Sequence, residues 1–168
     1  MTSEEIDDIV DLIANEVNKH NNNKSQCNLK RISIRALLKT HETLTVKVGN
    51  KIVGAVIYER FVPGIYRDTL VHFIYHMVVN PKYRNKIYSF TLWSKLLDKL
   101  KCQDIFLISN NTGSFSSFVE YINSPSVEGY NHINKLYRVK RNVIDRSIKL
   151  AEKRHGKHYK DHRGCTNN

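Results

Sequence analysis

The first apolar pattern along the chain is helical. Ile6, Ile9, Val10, Ile13 and Val17 recur at spacings of three and four, which places them on one face of a helix. Ser3 is the expected N-cap, and the acids just after it suit the positive helix end. The polar run 20–25 interrupts the pattern and reads as a loop. A second, short helix is expected over 33–40, with Ile34, Leu37 and Leu38 turned inward. The period then changes to two. Leu44, Val46 and Val48 alternate with Thr45 and Lys47, Gly49-Asn50 forms a tight turn, and 52–58 follows as a second strand, so 43–60 reads as a β-hairpin.

After a turn at 61–64 comes LVHFIYHMVV, residues 70–79, with no Gly or Pro; this composition predicts a central strand covered on both faces. Pro81 ends it. A helix is expected from about Arg84 to Lys101, burying Phe90, Leu92, Trp93, Leu96, Leu97 and Leu100. Residues 104–109 read as another buried strand, 114–122 as a short helix, 129–140 as strand-like, and 142–155 as a basic helix with Val143, Ile144, Ile148 and Ala151 on one side. Helices interspersed with strands predict an α/β (α+β) fold: a mixed, mostly antiparallel central sheet with helices on both faces. The expected division is a domain over 1–141 followed by a basic helix and tail over 142–168.

Composition narrows the class. The 168 residues are 40% hydrophobic with 7 Gly and 3 Pro, which excludes a collagenous or low-complexity chain. No apolar run approaches the roughly 20 residues of a membrane span. The acidic N-terminus is unlike a signal peptide, so a soluble cytoplasmic protein is expected. Cys27, Cys102 and Cys165 are far apart and form no CxxC pair, so neither a structural zinc site nor a disulfide framework is expected. The net charge of +11 is unevenly spread. Glu4, Glu5, Asp7, Asp8, Asp11 and Glu16 crowd the first helix, whereas Lys140, Arg141, Arg146, Lys149, Lys153, Arg154, Lys157, Lys160 and Arg163 crowd the last stretch. Such a tail attracts polyanions, nucleic acid among them.

The pieces KVGNKIVGAVIY (47–58), HMVVNPKYRNK (76–86) and DIFLISNN (104–111), in this order, resemble the GNAT-type acyl-CoA-dependent N-acyltransferases, with VVNPKYR (78–84) the most specific part. The resemblance spans about 44–122. It implies acetyl-CoA or another acyl-CoA as cosubstrate, with pantetheine against the strand end at Met77, Val78 and Val79. It also implies pyrophosphate against Arg84, Asn85, Lys86, Ile87, Tyr88 and Ser89, with Asn111 after the next strand. The family pattern R/Q-x-x-G-x-G/A is matched by Arg84, but Ile87 and Ser89 stand where it has small residues, and a β-branched Ile should crowd a phosphate cradle.

The chemistry needs a base for the amine and a proton for the leaving thiolate. His76 and His72, four apart on the expected central strand, and Glu59 are the candidate bases. The resemblance places the family's proton-donating Tyr at Phe118, which cannot donate; Tyr121 and Tyr88 are the substitutes. A protein of this fold without the chemistry, binding nucleic acid or serving as a structural or accessory protein through its basic tail, is the alternative. The Lys/Asn/Ile-rich, Gly-poor composition is similar to small acyltransferase-like proteins of bacteriophages.

Overall fold

The structure, a computed structural model, describes residues 1–18, 24–63, 70–84, 87–100, 104–109, 113–122 and 135–155. Among the described residues, four α-helices and six strands follow one another as α1 (Ser3–Asn18), α2 (Lys24–Thr40), β1 (Glu42–Val48), β2 (Lys51–Pro63), β3 (Leu70–Val79), α3 (Ile87–Lys99), β4 (Ile105–Ser109), β5 (Val119–Tyr121), β6 (Lys135–Val139) and α4 (Arg141–His155). The strands form one sheet in the order β1-β2-β3-β4-β6-β5. β1 with β2, β4 with β6 and β5 with β6 are antiparallel, and β3 with β4 is parallel. This is the expected mixed, mostly antiparallel sheet flanked by helices, with the basic helix last.

The chain forms two compact units: Met1–Tyr58 with His76–Leu92, and Glu59–Tyr75 with Trp93–Asn168. In the first unit, α1 begins at a reciprocal cap. The Glu5 backbone N–H donates to Thr2 Oγ1 at 3.2 Å, and the Thr2 N–H donates to Glu5 Oε2 at 2.8 Å. Thr2, not Ser3, is therefore the N-cap, because only from Thr2 does a glutamate fall three residues on to close the box. Ile9, Val10, Leu12, Ile13 and Ala14 are buried along its inner face. α2 is longer than its apolar pattern predicts, because Ser25, Gln26 and Asn28 add turns without adding an apolar stripe. In the hairpin, Val48 pairs with Lys51 across Gly49-Asn50, and Gly49 takes φ +59, a conformation strained for an L side chain. The register slips between Val46 (opposite Gly54) and Lys47 (opposite Ile52), so Val53 is a bulge residue. β2 stays extended to Pro63, past the expected turn at 61–64, and 52–58 is buried without alternation, as a strand covered on both faces should be.

In the second unit, His72, Phe73 and Ile74 of β3 lie opposite Ile105, Phe106 and Leu107 of β4. Val71, Phe73, Phe106 and Leu136 form a core cluster, with Tyr75 and Ile122 packed on it. The short helix expected over 114–122 is instead a 3-10 turn, Gly113–Phe118, followed by β5. Pairing of Val119 with Val139 and of Tyr121 with Tyr137 fixes this stretch as strand; a serine-rich segment has little helix propensity to oppose it. Phe118 packs edge-on against Trp93 with ring centroids 6.1 Å apart. α4 buries Ile144, Ile148 and Ala151, the side its periodicity predicts.

Candidate functional site

The corner from β3 to α3 lies in the first unit and is built around Asn80. Its backbone N–H donates to the Val53 carbonyl at 2.8 Å, so the bulge residue of β2 anchors the end of β3. Its side-chain Oδ1 accepts from the Lys82 N–H at 3.0 Å, and its carbonyl accepts from the Tyr83 N–H at 2.8 Å. The Arg84 N–H donates to the Pro81 carbonyl at 3.2 Å. Every backbone donor from Asn80 to Arg84 is thus used within the corner, Pro81 having none. An α-helix leaves its first N–H groups without acceptors inside the helix, and α3 begins just past this corner.

Arg84 is tied on both sides. Nε donates to the Val79 carbonyl at 3.0 Å, and a terminal N–H donates to the Glu16 carboxylate of α1. The residue that the resemblance assigns to pyrophosphate is in this structure a clasp between strand end, turn and first helix. Ile87, at the first helical position, is buried at 8% exposure. Its carbonyl accepts from Thr91 Oγ1 at 3.0 Å. Tyr88 packs edge-on against Tyr83, centroids 5.5 Å apart, and Ser89 is half-buried in the same first turn. Val78 and Val79 are buried and Met77 is half-buried. Asn85, Lys86 and Asn111 lie outside the described residues.

His76 is half-buried on β3 in the same unit. Burial, and then the charge of Lys30 on α2, push its pKa below the ordinary imidazole value. It is therefore neutral near pH 7 and able to accept a proton.

The other candidates belong to the second unit. His72 is 2% exposed, and its backbone N–H donates to the Asp104 carbonyl at 2.9 Å. Such burial closes its side chain to an incoming amine. Glu59 accepts from the Tyr75 hydroxyl at 2.8 Å. Tyr121 is on β5 rather than on a helix; it is 54% exposed, with its ring 5.9 Å from that of Tyr137. The helical spacing that made Tyr121 a neighbour of position 118 therefore does not hold. Of the basic set, Lys140 gives its N–H to the Phe118 carbonyl at 2.8 Å. The Arg141 guanidinium donates to the carbonyls of Leu97 and Leu100 at the end of α3, which removes it from the free cations. Arg146, Lys149, Lys153 and Arg154 are exposed on α4. Lys157, Lys160 and Arg163 are outside the described residues.

Glu16, Val53 and Asn80 were not among the sequence candidates. Asn80-Pro81 carries a readable signal, because Asn-Pro initiates turns. Glu16 and Val53 carry none: each acts through a partner distant in sequence.

Residues 9–116 match the family described as the Acetyltransferase (GNAT) family. No curated protein sequence matches the chain. Among solved structures, PH1933 from Pyrococcus horikoshii OT3 is similar with a TM-score of 0.66 at 18% identity, over 83% of this chain and 92% of that one. The PaiA N-acetyltransferase of Thermoplasma acidophilum, in complex with coenzyme A, is similar with a TM-score of 0.58 at 9% identity, over 83% and 95%. Tetrahymena GCN5 gives 0.57 at 13% identity, over 81% and 86%. These likenesses are of fold, and with the family match over most of its length they make the chain a member of the GNAT acetyltransferase family.

Proposed function

We propose that the protein is an acyl-CoA-dependent N-acyltransferase that moves an acetyl group to an amine in the cytoplasm. The observation that carries this reading is the Asn80 corner: it uses its own backbone donors to turn the chain from the end of β3 to the start of α3, a helix end whose dipole favours a diphosphate. Coenzyme A in the complex of the similar Thermoplasma enzyme supports the cosubstrate class. Residues 77–79 would lie along the pantetheine. The start of α3, with Ser89, would take the pyrophosphate; the buried Ile87 side chain is compatible with this. Arg84 would hold the corner in shape rather than supply the main charge.

His76 is the base in this reading. The amine nitrogen attacks the thioester carbonyl carbon, the C–S bond breaks, and the amine proton passes to the neutral imidazole, which returns it to solvent as the thiolate becomes a thiol. Calorimetric titration with acetyl-CoA tests the site, and release of free thiol with a panel of amines tests the chemistry. Binding of acetyl-CoA is expected, with His76→Asn lowering kcat about 10²- to 10⁴-fold and leaving that affinity unchanged. Absence of binding by any acyl-CoA sinks the proposal.

One observation favours the second reading, a binding protein on this fold. Phe118, where the family's proton donor belongs, is packed on Trp93. Acetyl-CoA bound without turnover of any amine would be its signature.

A further inference from the structure

We infer that the solvent face of α4 is a docking surface for the phosphate backbone of nucleic acid, whether or not the protein transfers acyl groups. At about 100° per residue, Arg146, Lys149 and Lys153 share one stripe opposite the buried Ile144, Ile148 and Ala151, and Arg154 projects about 80° round the helix from Arg146. All four cations are exposed. Among the described residues, no hydrogen bond or ion pair holds any of them. Arginines elsewhere are committed to partners: Arg31 to Asp11, Arg35 to Asp7, Arg84 to Glu16, Arg138 to Glu120, and Arg141 to the end of α3. The α4 stripe is unspent charge, held in fixed spacing by a helix whose other side is anchored in the core.

The stripe is also bounded. On its flank a groove of about 380 Å³ between α3 and α4 is lined by Asp98, Asp145 and Glu152 beside Lys149. A polyanion is attracted to the ridge and repelled from that groove, which fixes how it lies. From 146 to 153 the ridge runs about 10 Å at about 1.5 Å per residue. Duplex DNA carries one charge per about 1.7 Å of axis, so several phosphates lie within its reach. A lipid surface fits less well. The apolar side of α4 is turned into the protein, and Leu150 at 54% exposure is the one large apolar side chain on its outer face, whereas a helix lying in a membrane presents an apolar stripe outward.

The test is fluorescence anisotropy with a 20-base-pair DNA duplex and a 20-nucleotide RNA from 50 to 200 mM salt, with phosphatidylserine vesicles as a third titrant. The wild type is expected to bind both nucleic acids. The combined variant R146Q/K149Q/K153Q/R154Q should lose about 3.6 from the slope of log K against log salt on the duplex, at about 0.9 per phosphate contact. Over this salt range that is about a hundredfold in salt sensitivity. A charge-matched variant, K39Q/K51Q/K82Q/K99Q, should keep the wild-type slope, and circular dichroism checks that both variants fold. Equal losses in the two variants, no binding by the wild type at 50 mM salt, or tighter binding to vesicles than to either nucleic acid would each overturn the inference.

Discussion

The two end helices, α1 and α4, are built alike and charged to opposite ends. Each buries an apolar stripe, with Ile9 in α1 and Ile144 in α4 closed to solvent. Five of the six acids of α1, all but Glu4, are spent on the fold. Glu5 pairs with Lys47, Asp7 with Arg35, Asp11 with Arg31 and Glu16 with Arg84, while Asp8 Oδ2 accepts from the Ile52 N–H at 3.5 Å. The bases of α4 are not, apart from Arg141 at its first position. Charge density in a sequence therefore does not tell whether the charge is structural; partners do.

The sharpest test removes what the helices share. Ile9→Ala and Ile144→Ala should each cost about 2–5 kcal/mol by urea unfolding, since each deletes a fully buried branched side chain. If only one were costly, the helices would not be equivalently anchored. Next, Arg141→Ala should cost about 1.5–3 kcal/mol through lost bonds from a charged donor to the α3 carbonyls, while Arg146→Ala should stay within about 0.5 kcal/mol. A smaller effect, about 0.2–1 kcal/mol each, is expected for Asp7→Asn and Asp11→Asn, shrinking as salt rises. Neutralising Lys153 should lack that salt-dependent loss.

The smallest effects are in the pH dependence of stability. Lys47 and then the Thr2 N–H hold the Glu5 carboxyl below the usual carboxylate value. Its contribution is complete above pH about 4.5 and is lost as pH falls through the lowered value. The His76 imidazole is also lowered, by burial and then by Lys30, so the unfolded chain binds its proton first. Its contribution is complete above pH about 6.5 and declines below that. Thermal melts should show the decline below pH 6.5 vanish in His76→Asn while the acid limb from Glu5 remains. Persistence of both limbs would remove His76 as the titrating group.

The elements with a strong period were legible in the residues. The hairpin, β3, α3 and the inner side of α4 all stand where Val46, residues 70–79, Leu96 and Ile148 place them. What escaped was decided elsewhere in the chain. Tyr121 became strand because Tyr137 pairs with it, and the polar start of α2 has no stripe to announce it. The site divides the same way. VVNPKYR marks the corner, but that Arg84 clasps Glu16 and that Asn80 hangs from a bulge at Val53 depend on partners 68 residues away for Arg84 and across a register slip for Asn80.

Arg141 stands one residue before the point at which the basic stretch would be cut away as a separate tail. Its guanidinium closes the far end of a helix laid down 41 residues earlier. A truncation ending at residue 140 would uncap α3, and one ending at 141 would still leave behind the hollow vacated by Ile144. Shortened versions meant to separate a catalytic body from a cationic appendage would therefore damage the body, and point substitutions on the outer ridge are the cleaner instrument.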